Sequence, residues 1–217
     1  YMNENLFEFI KKNSSRPDLI ELIKFNISEK IYHYGGHFKK TRIKSKTIFY
    51  FKNFLFLIYS FIVNLKIKTN NKFIFGLSST YHNFDSELEK IGYSAFRMPH
   101  TPKKNRKVFG GVSFFLATVL IQRDFIFKDY KYLTSDSFLL KIDNYHKFIE
   151  ILVKKNDLKF LLVPNDNDFF SRVYLSVFKK LKKPTFIIAH AGMPVMLDKI
   201  MDNGSDYVTM WGNKQIE

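Results

Sequence analysis

The last third of the chain alternates short apolar runs with helical periodicity, and that pattern leaves few folds open. Lys159 to Pro164 is an apolar run that opens into Asn165-Asp166-Asn167-Asp168. Phe170, Val173, Tyr174, Val177, Phe178 and Leu181 then recur three and four apart, the spacing of one helix face. A second run, Pro184 to Ala189, ends in His190-Ala191-Gly192, and a third, Asp206 to Trp211, is closed by Gly212. Apolar strands separated by amphipathic helices predict βαβ units and a parallel sheet. Right-handed crossovers gather the strand carboxyl ends on one edge, where open α/β sheets bind ligands. The site is thus located before its chemistry is identified.

Upstream, residues 3 to 30 read as one or two helices, with Ser14-Ser15-Arg16-Pro17 as a turn and helix start. Residues 31 to 46 form a basic connector containing Gly35-Gly36, and residues 47 to 67 an apolar helix. Strands are predicted over Lys72–Leu77 and Tyr93–Met98, separated by a helix from about Phe84 to Lys90 that stops at Gly92. Pro99 to Lys107 is a basic loop, and Gly110 to Phe127 is apolar and helical. Ser135 to Lys155 is an amphipathic helix with Leu139, Ile142, Tyr145, Ile149 and Leu152 inward. The fold class expected is α/β: a Rossmann-like parallel sheet with flanking helices, preceded by a helical basic and apolar amino-terminal region. The boundary between the two is drawn at residues 1–71 and 72–217.

Charge separates the halves further. The net charge is +15, and from Lys30 to Phe84 there is no Asp or Glu but ten Lys and Arg, so this quarter of the chain carries two thirds of the excess. Such a field attracts polyanions: nucleic acid, anionic headgroups or phosphorylated substrates. Inside it lies the ten-residue apolar run Phe54 to Val63, half of the roughly 20 residues that a spanning helix needs. Apolar residues with lysine flanks suit a helix lying in a membrane interface; the alternative is a helix packed on its own sheet with lysines reaching solvent. No cysteine is present, which excludes disulfides, thiolate metal sites and a cysteine nucleophile, and favours a reducing compartment. The amino terminus lacks the charged-then-apolar order of a secretory signal. Among six histidines only His33 and His37 are close, and Gly35-Gly36 between them argues against a helix aligning them, so no metal is expected.

The run Ser78-Ser79-Thr80-Tyr81-His82-Asn83, followed by a helix and Ile91-Gly92-Tyr93, resembles the first βα unit of GT-B glycosyltransferases. In many inverting members a histidine in this loop is the general base. His82 holds the matching place, with Tyr81 where glycine is usual. Thr185 to His190, Ala191-Gly192-Met193-Pro194 and Ser205 to Gly212 resemble the end of the amino-terminal GT-B domain in bacterial surface-polysaccharide enzymes. There a strand ending in His-Gly precedes a helix, then Ala-Asp, an apolar strand and Trp-Gly; Ala191 and Ser205 are departures. The resemblance covers roughly residues 72 to 217 and implies the acceptor-side domain, with the nucleotide-sugar domain outside this chain. It implies a nucleotide-sugar donor, a glycan or lipid-diphosphate-linked acceptor, no cofactor, and a cytoplasmic enzyme peripheral on the inner face of the membrane. Non-hydrolysing UDP-sugar epimerases share the architecture, so that reaction stays open.

On this reading His82 is catalytic, because a histidine near neutrality suits removal of an acceptor proton. Ser79, Thr80, Tyr81, Asn165, Asp166, Asp168, His190 and Gly192 would contact acceptor or substrate, and Lys103, Lys104, Arg106 and Lys107 phosphate or membrane. Several have a plainer alternative. His82 caps the next helix or faces water, His190 is a core histidine bonded to backbone, and the basic loop is merely exposed. Asp166 and Asp168 cap the helix at Phe169. A non-catalytic basic module binding nucleic acid explains the charge, but no recognised module appears, and the aromatics sit in apolar runs rather than among Lys and Arg; one binding anionic membrane explains residues 38 to 68 but leaves the polar loops at the sheet edge unexplained. Specific nucleic-acid binding is not expected.

Overall fold

Five parallel strands form one sheet in the order β2-β1-β3-β4-β5. They are β1 (Phe73–Leu77), β2 (Tyr93–Arg97), β3 (Leu158–Val163), β4 (Thr185–Ile188) and β5 (Tyr207–Thr209). Eight helices accompany them among the described residues: α1 (Glu4–Lys12), α2 (Pro17–Leu22), α3 (Lys24–Tyr34), α4 (Lys46–Lys66), α5 (Gly111–Phe127), α6 (Tyr130–Leu133), α7 (Asp136–Lys155) and α8 (Phe169–Lys180). Leu88 and Lys90 are also helical. The computed structural model describes residues 4–34, 46–66, 73–77, 88, 90–97, 110–163, 168–188 and 205–209. The chain is an α/β protein.

Local chemistry sets the element ends. Pro17 opens α2, where its missing N–H and fixed φ suit the first turn. Ser135 caps α7 by accepting from the Phe138 N–H, and Lys154 and Lys155 occupy the last turn, beside the negative end of the helix dipole. Helix α8 ends in a Schellman motif: Lys183 N–H donates to the Phe178 carbonyl and Lys182 N–H to the Lys179 carbonyl, both at 2.9 Å. Lys182 holds the left-handed position with φ 54°, where glycine is usual. Helix α6, absent from the sequence reading, is one turn held by Asp129, whose side chain accepts from Tyr132 N–H at 2.9 Å.

One large buried cluster fills one face of the sheet. It joins Leu158, Leu161, Val163 and Ile187 to the inward residues of α7 and α8, with Phe114 and Ile121 of α5. Phe7, Leu19, Ile20, Ile23 and Ile27 belong to the same cluster, so α1 to α3 share this core with the strands. Phe160, Leu162 and Phe186 turn to the opposite face with Leu88 and Tyr93. Leu158 and Leu161 lie on one face although they are three apart, against the strand period of two. The pairing explains this: Ile74 faces Leu158 but Gly76 faces Leu161, so β3 carries one extra residue there.

Candidate functional site

The strand order turns at β1. From it the chain steps to β2 on one side, then returns to β3 on the other and continues outward to β4 and β5. Open α/β sheets bind ligands outside the carboxyl ends at such a reversal. Register brings those ends together: Leu77 pairs with Leu162, Val163 with Ile187, and Ile188 with Thr209. The segments Ser79 to His82, Asn165 to Asp168 and His190 to Gly192 follow these strand ends in sequence.

Ser79, Thr80, Tyr81, His82, Lys103, Lys104, Arg106, Lys107, Asn165, Asp166, His190 and Gly192 lie outside the described residues. Asp168 is described, and it caps α8. One carboxylate oxygen accepts from Ser171 N–H at 3.0 Å and the other from the Ser171 hydroxyl at 2.6 Å. The capping alternative is thus realised at Asp168, whose two oxygens are both engaged by the helix it starts.

Behind this helix start lies a buried hydroxyl chain that the sequence reading missed. The Tyr145 hydroxyl is 3.0 Å from the Thr118 hydroxyl and 3.2 Å from that of Tyr174, and Thr118 in turn donates to the Phe114 carbonyl at 2.9 Å. Burial pushes both phenols up, and the negative charge of Asp168 pushes them the same way. They stay neutral and satisfy one another, which makes the chain a fixed polar tie between α5, α7 and α8. Sequence could not have revealed it, because Tyr145 and Tyr174 are indistinguishable there from apolar positions of two amphipathic helices.

A second surface belongs to α4 and α5, which run antiparallel. Phe49 meets Phe127 with ring centroids 5.7 Å apart, and Phe56 meets Phe115 at 5.2 Å. Further along, Leu57, Ser60, Phe61 and Leu65 line a cleft of about 250 Å³ against Gly111, Val112 and Phe115. The Ser60 hydroxyl is buried in that cleft wall and has no hydrogen-bond partner. Gly110 begins α5 with φ 79°, and a Cβ there would come within 2.6 Å of Phe114 Cβ and 2.7 Å of Leu152 Cδ1. Only glycine fits.

Of the six histidines, His146 is the one with a described side chain. It is half-buried, 3.1 Å from the Ser176 hydroxyl, with burial and then the charge of Lys180 holding it below the usual histidine range. Among the described residues no group of three His, Asp or Glu is arranged to hold a metal ion, and no helix is long and apolar enough to cross a membrane. No family model, curated protein or solved structure matches this chain.

Proposed function

We propose that this chain is the acceptor-side, Rossmann-like half of a GT-B glycosyltransferase of bacterial surface-polysaccharide synthesis. It moves a sugar from a nucleotide-sugar donor to a glycan or lipid-diphosphate-linked acceptor. One observation carries the reading. The two loops that the sequence marks as chemically equipped, Ser79 to His82 and Asn165 to Asp168, follow β1 and β3, the strands on either side of the reversal in strand order. Asp168 is occupied in capping, which leaves His82 as the better-suited base.

In this reading His82 takes the proton of the acceptor hydroxyl as its oxygen attacks the anomeric carbon. The bond from that carbon to the donor diphosphate breaks, and the nucleoside diphosphate departs with the bonding electrons. Lys103, Lys104, Arg106 and Lys107 supply positive charge for diphosphate oxygens, whose charge rises in the transition state. The test uses the full reading frame, a panel of nucleotide-sugars and a polyprenyl-diphosphate-linked acceptor, with released nucleoside diphosphate as the readout. Release from one donor that depends on acceptor supports transfer. Release equal with and without acceptor, across the panel, removes it.

A further inference from the structure

Helix α4 is built inside out. Ser60 and Asn53, seven residues apart and so on one face, turn toward the protein body; Ser60 is 4% exposed. Phe49, Phe56 and Leu57 on the same side pack on α5. The opposite side carries Phe51, Phe54, Ile58 and Ile62, exposed at 61%, 58%, 44% and 43%. Of the 21 exposed large apolar residues described, ten lie on this one helix. Helix α5 extends the surface with Val112, Leu116 and Leu120, each exposed and spaced four apart along one stripe. A helix facing water places its polar side outward; here the outward side is apolar over about half the circumference. Contiguous exposed apolar surface of this kind marks an interaction site.

We infer that the outward face of α4, with the α5 stripe, is a membrane-docking surface that lies in the headgroup region of an anionic bilayer. At about 1.5 Å per residue the 21 residues of α4 extend roughly 30 Å in the bilayer plane. Charge selects the occupant. Lys46 and Lys52 are exposed on the helix, no acidic residue occurs between Lys30 and Phe84, and the whole chain carries +15. A second copy would bring like charge against like charge around the margins of this face, whereas anionic headgroups complement those margins and hydrocarbon accepts the aromatic and aliphatic side chains. Lysine stems reach the headgroups while the rings sit deeper. Docking at this face holds whether or not the sheet edge transfers sugar.

The absence of cysteine makes a direct test possible. Phe54→Cys, Leu116→Cys and, on α7, Ile151→Cys are labelled with a polarity-sensitive fluorophore and mixed with vesicles of phosphatidylcholine alone or with phosphatidylglycerol. Labels at 54 and 116 should shift to an apolar signal only with the anionic vesicles, while the label at 151 stays unchanged. Partitioning should fall about tenfold for Phe54→Ser and about fivefold for each of Lys46→Gln and Lys52→Gln, with 0.5 M salt releasing the protein. Circular dichroism of each variant separates lost docking from lost folding. Equal partitioning to neutral vesicles, or none to either, overturns the inference. So does a label at position 54 that is already shielded in a sedimenting dimer without lipid, or one shifted as strongly by DNA.

Discussion

Gly110 and Lys182 are two left-handed positions where backbone and side chain conflict in opposite senses. At Gly110 the left-handed φ of 79° and the 2.6 Å approach to Phe114 both forbid a Cβ. Gly110→Ala should destabilise by about 2–3 kcal/mol through strain and overpacking at the start of α5, read as a lower denaturant midpoint. Lys182 already carries a side chain in the left-handed C-terminal position of α8. Lys182→Gly removes about 1 kcal/mol of that strain and should raise the midpoint. The pair share a backbone region but not a surrounding: a Cβ at Gly110 meets Phe114 and Leu152, whereas Lys182 is exposed. A drop for Lys182→Gly would mean that the lysine stem holds the turn by packing, which its exposed position gives no reason to expect.

Among elements, α7 was the most legible and α4 the least. Leu139, Ile142, Tyr145, Ile149 and Leu152 were expected inward from their spacing and are buried, because a single apolar stripe has one stable way to face a core. The sequence predicts a helix over residues 47 to 67, and α4 spans Lys46–Lys66, but its apolar residues surround most of the axis. Periodicity then identifies no inward face. The signal was present in the polar minority: Asn53 and Ser60 at a spacing of seven define the side that packs on α5, the reverse of a water-facing helix. The sequence likewise predicts the helix from Gly110 to Phe127 but not its exposed stripe, and one-turn α6 is too short for any period to register. The extra residue in β3 is set by pairing with β1, which sequence alone does not contain. At the start of α8, Asp168→Ala should lower stability by about 1 kcal/mol, since Ser171 N–H loses its acceptor. Asp168→Asn should recover most of it. In a chain of this size about 1 kcal/mol corresponds to roughly 2–4 °C in Tm.

For the molecule as a whole, acid is the weak side. Burial alone would push Asp124 up, but hydrogen bonds from Lys141 at 2.8 Å and Arg123 at 2.7 Å outweigh it and hold the carboxyl below its ordinary range. Lys147 and Arg16 do the same for Asp143, and Lys154 with Lys180 hold Glu150 at about 2. Burial, then Lys180, lowers His146. Each group binds protons less readily folded than unfolded, so its stabilisation is complete above its unfolded pKa and is lost as pH falls through its folded one. Tm should therefore decline on acidification in two stages: first below about pH 6.5 as unfolded-state histidine gains its proton, then below about pH 4 as the carboxylates follow. The exposed partners keep each carboxylate's share small. A Tm that rises between pH 7 and pH 4 would contradict this account.

The strand sequence and its parallel pairing were readable from the apolar runs Phe73–Leu77, Leu158–Val163 and Thr185–Ile188, each found within a residue or two of its expected ends. The sheet edge follows from that pairing, and Asp168 is the one candidate residue there whose contacts are described. The rest of the site is legible only as sequence following strand ends, since loop conformation depends on contacts that periodicity does not encode. The proposed chemistry therefore stands or falls on His82. In the full-length protein His82→Ala should lower acceptor-dependent kcat by about 100-fold or more while the denaturant midpoint and donor binding stay near those of the parent. A variant that keeps near-parental turnover, or that loses about 1 kcal/mol of stability with activity intact, would contradict His82 as the base and return it to a capping or solvent-facing role.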